Sequence, residues 1–154
     1  MKQATKRRTI VVPIIRNGSG EVLLCKMPQD RGVFPGQWGL PGCGIEDGED
    51  MGAALRREVR EELGVAVTEF HPLFFYDETR AKRLPDDTLQ NVYMIYLLFE
   101  CRIEEKAIEL SDEFCDFAWV APKRLEEMDL NPATRKTTQR YGILIPAAPS
   151  HRQG

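Results

Sequence analysis

Apolar residues in the first part of the chain fall into two compact runs, "RTIVVPII" (8–15) and "EVLLCKM" (21–27), separated by "RNGSG". Such runs, rich in Val, Ile and Leu, read as strands, and the Asn and Gly residues between them supply the turn geometry of a hairpin. The segment "DRGVFPGQWGLPGCGIEDGED" (30–50) then gathers glycines and prolines around a short Trp38-Gly39-Leu40 strand. It is too irregular for regular structure and too rich in φ-permissive residues to be mere filler, so it reads as a working loop. From Met51 to Leu63 the apolar positions switch to helical spacing, and Gly64 stands where a left-handed residue closes a helix. Further strands are expected at "HPLFFYDE", "QNVYMIYLLFEC" and "DFAWVA", with a short helix at "PKRLEEM" and a longer one from "NPATRKTTQRYG". Strands mixed with a few helices predict an α/β domain whose sheet is covered on both faces by helices. The domain is placed at 8–143, with 1–7 and 144–154 as tails.

On a helical wheel Met51, Leu55, Val59 and Leu63 form the apolar stripe of the 51–63 helix. Glu62 falls just inside one edge of that stripe and Glu58 just outside it; Glu61 and Arg57 lie further round, with Arg56 and Arg60 off the opposite edge. Like charges at these spacings cost about 0.2 to 0.5 kcal/mol per pair on an exposed helix, and partial burial raises that cost. Arg57 reaches Glu61 one turn on, but one arginine does not balance three carboxylates. A divalent cation does, and hard oxygen donors suit Mg²⁺ or Mn²⁺, which keep waters and take phosphate oxygens at their remaining positions. The bland alternative for this stretch alone is a solvated charged face.

Composition narrows the field without choosing a chemistry. The 154 residues are 42% hydrophobic, enough for one domain with its own core, and the formal net charge of -3 argues against long duplex nucleic acid or an anionic membrane as partner. No apolar run reaches the length of a membrane span and the basic start leads into a strand rather than a signal core, so the chain reads as cytosolic. Cys25, Cys43, Cys101 and Cys115 form no C-x-x-C pair and read as reduced thiols, Cys25 and Cys101 as core residues. His71 and His151 have no nucleophile pattern around them and read as incidental.

The stretch "GCGIEDGEDMGAALRREVREELGV" (42–65) resembles the Nudix box, G-x5-E-x7-R-E-U-x-E-E-x-G-U with U aliphatic. Glu49, Arg57, Glu58, Val59, Glu61, Glu62, Gly64 and Val65 match in register, and the opening glycine falls on Cys43. Cysteine cannot cheaply adopt glycine-only backbone regions, so the departure puts the loop conformation in question; the thiol is either a tolerated small residue or a group within reach of a soft metal. Beyond the box, segments across residues 8–143 are similar to Nudix nucleoside triphosphatases that prefer pyrimidine deoxynucleotides. The resemblance implies a Nudix α/β/α sandwich with a mixed sheet. It also implies Mg²⁺, with Mn²⁺ able to substitute, and hydrolysis of nucleoside triphosphates such as dTTP, dUTP or dCTP to the monophosphate and pyrophosphate. It assigns Glu61 and Glu62 as metal ligands and Glu58 as a further ligand or the base. The Gly42 carbonyl joins the metal's ligands, Glu49 and Arg57 brace the helix against the loop, and a carboxylate before the Trp-containing strand, Glu113 rather than Asp112, stands near the metal. A homodimer is common in the family.

Substrate recognition is less legible. Arg31, Phe34, Asn131 and Arg135 are the candidate substrate contacts, whereas Phe74, Phe75, Tyr76, Tyr93 and Tyr96 lie in strands, where aromatic rings are usually core. Two other functions remain in view. A nucleotide-sugar hydrolase of the GDP-mannose type would differ by its products; a catalytically silent nucleotide sensor would carry a DNA-binding helical domain, for which these residues leave no room.

Overall fold

The computed structural model describes residues 5–32 and 34–140. Its elements, in chain order, are β1 (Lys6–Ile15), β2 (Val22–Lys26), β3 (Trp38–Gly39), β4 (Cys43–Gly44), α1 (Met51–Leu63), β5 (Val67–Arg83), β6 (Leu89–Ile103), β7 (Asp116–Val120), a 3-10 helix (Pro122–Glu127) and α2 (Pro132–Arg140). A four-stranded mixed sheet runs β4-β1-β6-β5, with β1 parallel to β6 and antiparallel to β4. A smaller antiparallel sheet runs β3-β2-β7.

The near-continuous apolar runs of β1 and β2 follow from burial on both faces. Successive strand side chains point in opposite directions, so Val11, Ile15, Leu23 and Cys25 enter one core with Leu55, Val59 and Leu63 of α1. Ile10, Ile14, Val22 and Leu24 enter a second core with Leu125 of the 3-10 helix and Leu130 just before α2. The strands thus form the middle layer of an α/β/α sandwich. Cys25 and Cys101 are fully buried in the α1-side core, as small hydrophobes.

Several expectations need correction. The "RNGSG" turn does not close a hairpin within one sheet: β1 and β2 belong to different sheets, and their backbones pair at an isolated antiparallel bridge, Arg16 to Val22. Asn17 does make the turn, its Oδ1 accepting from the N–H groups of Ser19 and Glu21 at 3.0 Å, but the chain uses it to pass from one sheet to the other. Met51 is not part of the buried stripe; it is 45% exposed, and Ala54 takes its place in the core. Strand β1 includes Lys6 and Arg7, which pair with Val92 and Tyr93. The expected tail at 144–154, with His151, lies outside the described residues. Among those described, no helix is long and apolar enough to cross a membrane.

Candidate active site

Helix α1 is held at both ends. The Asp50 carboxylate accepts the Ala53 N–H at 2.8 Å, and Gly64 turns left-handed at φ 69°, its N–H on the Arg60 carbonyl at 3.0 Å. Burying Leu55, Val59 and Leu63 fixes the helix's rotation, each side chain contributing roughly 1.5 to 3 kcal/mol. The same rotation carries two acids inward: Glu58 is 6% exposed and Glu62 5%, while Glu61, one position before Glu62, faces solvent.

Arg57 ties this helix to the preceding loop. Its Nε lies 2.6 Å from Glu49 Oε2 and its Nη2 2.9 Å from Oε1, a two-pronged pair, and Nη2 also donates to the Gly44 carbonyl at 3.3 Å. Glu49 in turn accepts the Glu46 N–H at 2.9 Å, and its hydrogen bonds with Arg57 hold its carboxyl below the usual carboxylate range. Nη1 stands 3.4 Å from Glu61 and 4.0 Å from Glu58. One guanidinium therefore braces loop and helix and reaches the edge of the acidic cluster.

On the inner side of the cluster burial outweighs the compensating contacts. Burial, followed by its hydrogen bond with the Glu113 carboxyl, pushes Glu62 up to about 7. Burial likewise raises Glu58, although the Cys43 thiol donates a hydrogen bond to it. Ser111 Oγ donates to Glu62 Oε2 at 2.9 Å and accepts the Glu113 N–H at 3.3 Å, while the Ser111 N–H meets the Glu62 carbonyl at 3.0 Å. This donor set fits a hard divalent cation, because the acids are all oxygen ligands gathered at one edge of the helix. Among the described residues, no three or more acids, histidines or cysteines are gathered in a ready-made metal-binding arrangement.

Glu113 thus stands beside Glu62, and the Asp112 backbone carbonyl accepts from Arg31 Nη2. Arg31, Asp112 and Glu113, with Met27 and Gly32, line a cleft of about 350 Å³. Gly42 immediately precedes β4 and the thiol that touches Glu58. Cys43 sits in extended backbone rather than a glycine-only region and pairs with Val11, so the substitution leaves the loop unstrained. Burial and the nearby Glu58 push its thiol up to about 12, far from a reactive thiolate.

The other candidate substrate contacts are dispersed. Asn131 caps α2, its Oδ1 accepting the Thr134 N–H at 2.8 Å, and its amide nitrogen fills the space a side chain at Gly39 would need. Arg135 Nη2 meets the Met128 carbonyl at 3.4 Å. The Phe34 ring is half-buried in the loop before β3. Ser111 was not among the expected site residues; a lone serine before "DEF" has no sequence signal, and only the fold brings it to Glu62.

A three-layer α/β/α fold that presents clustered, partly buried glutamates from a braced helix defines a hydrolytic enzyme. The chain belongs to the Nudix family, whose NUDIX domain matches residues 5–141. It is 50% identical over 141 residues to the nucleoside triphosphatase NudI of Escherichia coli O139:H28, covering 90% of this chain and 99% of that one. Among solved structures it resembles the MutT protein of Methanosarcina mazei Go1, with a TM-score of 0.68, 25% identity and coverage of 92% of this chain and 97% of that one. The MutT Nudix hydrolase of Burkholderia pseudomallei shares the fold with a TM-score of 0.68 at 23% identity, covering 94% and 99% of the two chains.

Proposed function

We propose that this Nudix hydrolase cleaves nucleoside triphosphates, with a preference for dTTP, dUTP and dCTP, to the monophosphate and pyrophosphate in a Mg²⁺-dependent reaction. The observation that carries the reading is the inner acidic edge of α1: Glu58 and Glu62 are more than nine-tenths buried, and Glu62 stands beside the Ser111 hydroxyl and the Glu113 carboxyl. Similarity to NudI over nearly its whole length supports the substrate class.

A phosphoanhydride carries several negative charges that repel an incoming hydroxide, so the site must supply positive charge and a deprotonated water. The divalent ion, when bound, polarises phosphate oxygens and acidifies a water. Glu58, Glu61, Glu62 and Glu113, with the Gly42 carbonyl, are the groups that would hold it. Arg57 and Glu49 keep the helix and loop in register, so that the carboxylates meet the substrate in one arrangement. The water's proton passes to one of the Glu58, Glu61 and Glu62 carboxylates. Base selection falls to residues outside the box, with Arg31, Phe34, Asn131 and Arg135 as the first to examine; two of them, Asn131 and Arg135, already make contacts within the fold. We further infer a cytosolic protein and a homodimer, which size-exclusion chromatography with light scattering would test.

The test is a side-by-side comparison of kcat/KM for the eight common ribo- and deoxyribonucleoside triphosphates, dUTP and GDP-mannose, with products resolved by ion exchange. Pyrimidine deoxynucleotides should lead purines by about ten- to a hundredfold, the discrimination a shaped pocket supplies. Preference for GDP-mannose, or equal turnover of purines and pyrimidines, would overturn the substrate assignment.

A further inference from the structure

We infer that Ser111 is a positioning residue that couples Glu62 of α1 to Glu113 of the turn before β7, so that the two carboxylates reach the active-site cation as one unit; this rests on the functional reading above. Glu113 is exposed on a turn, and a side chain there has no packing of its own to fix it. What fixes the turn is a set of contacts at its two ends. At the far end the Cys115 N–H donates to the Lys26 carbonyl at 2.9 Å, joining the turn to the end of β2. At the near end Ser111 engages both acids, donating its hydroxyl hydrogen to Glu62 Oε2 and accepting the Glu113 N–H on the same oxygen.

That arrangement has a direction. A serine hydroxyl has one hydrogen and can accept as well as donate. Donation to Glu62 fixes the carboxylate's orientation and that of the oxygen's remaining lone pairs. Acceptance from the Glu113 N–H curls the turn so that the Glu113 side chain returns to Glu62 rather than extending into solvent. The Ser111 backbone N–H on the Glu62 carbonyl anchors the same residue to α1 independently of its side chain, so removing the hydroxyl should loosen the coupling without detaching the turn.

The experiment compares Ser111→Ala, Ser111→Thr, Glu113→Gln and the Ser111→Ala/Glu113→Gln double variant of the full chain. Mn²⁺ affinity is read by calorimetry without nucleotide, and kcat and KM are measured with dTTP. The expected result is that Ser111→Ala weakens Mn²⁺ binding by about tenfold and lowers kcat more than it raises KM, the size of effect produced by residues that orient metal ligands. Ser111→Thr, which keeps the hydroxyl, should restore most of both. In the Glu113→Gln background the alanine change should add little. Wild-type Mn²⁺ affinity in Ser111→Ala, no rescue by threonine, or a loss of the same size in the Glu113→Gln background would overturn the coupling. A wild-type chain that binds Mn²⁺ yet hydrolyses no triphosphate would overturn the functional reading and leave the binding comparison to judge Ser111.

Discussion

Two partly buried carboxylate sites in this molecule have opposite electrostatics. Glu78 on β5 is held by Lys136 Nζ at 3.0 Å, by Arg80 Nε at 2.6 Å and by the Tyr96 hydroxyl at 2.9 Å. Burial alone would raise its carboxyl, but these donors outweigh burial and leave it below the ordinary range. Glu62 on α1 is buried at least as deeply and meets Ser111 and another acid, so its carboxyl is raised. The Glu78 network is complete within the chain: it fastens α2, through Lys136 and the Thr137 hydroxyl on Tyr76, to the long β5–β6 hairpin. In the α1 cluster Arg57 stands 4.0 Å from Glu58, and Glu62 meets the Ser111 hydroxyl and the Glu113 carboxyl. Burial of acids therefore does not by itself mark a site; burial without balancing donors does.

The contrast is broken most sharply by neutralising one acid at each site. Glu62→Gln should fold and hold its melting temperature, because it removes a charge that the metal-free protein struggles to keep, yet kcat should fall by roughly two or more orders of magnitude as a metal ligand is lost. Glu61→Gln should behave similarly in activity. Glu78→Gln should do the reverse, costing up to about 1 kcal/mol of stability by loosening the partly exposed Lys136 and Arg80 pairs, with catalysis nearly intact. Circular dichroism melts beside dTTP turnover would check both, and a Glu62→Gln protein that keeps wild-type kcat would end the distinction.

The two sites also predict opposite pH behaviour. Because the folded pKa of Glu62 is raised, its contribution to stability is fully present below the ordinary carboxylate range and is lost as pH rises toward about 7. Glu78 is depressed, so its contribution is present above that range and is lost only as pH falls below it. Melting curves in chelator should therefore show Glu62→Gln gaining on the wild type between about pH 5 and 7.5, and Glu78→Gln losing its handicap only in acid. Parallel curves for all three proteins would show that the electrostatic difference has been misread.

How far these sites were legible in the sequence depended on whether the signal was local. The limits of α1 were readable because Gly64 and the spacing of Leu55, Val59 and Leu63 are properties of one short stretch, and the inward lean of Glu58 and Glu62 follows from the same wheel. The strands β1 and β2 were readable as strands, but not their separation into two sheets, since turn chemistry at Asn17 fixes a reversal and not the partner of each strand. Asn131 looked like a substrate contact as an isolated polar residue, although its place immediately before Pro132 is also that of a helix cap, the role its side chain takes. Ser111 and the donors around Glu78 come from distant segments, and nothing in their neighbours announces the contacts.

The smallest effect should come from Cys43→Gly, which restores the usual residue of the box. The thiol gives Glu58 one hydrogen bond and occupies unstrained backbone, so kcat should change by no more than a few fold and metal dependence should persist. Mass spectrometry after brief treatment with iodoacetamide should find Cys43 largely unmodified, as its raised pKa requires. Abolished turnover in a folded Cys43→Gly protein would mean that the thiol takes part in the chemistry.

The central claim, that the unbalanced acids of α1 work by holding a divalent cation, is tested most directly by following pyrophosphate release from dTTP while Mg²⁺ is titrated into protein stripped with excess chelator. The account predicts no turnover above background in chelator, recovery that saturates with Mg²⁺, and a saturation point displaced to higher Mg²⁺ in Glu62→Gln. Full turnover in excess chelator would contradict it.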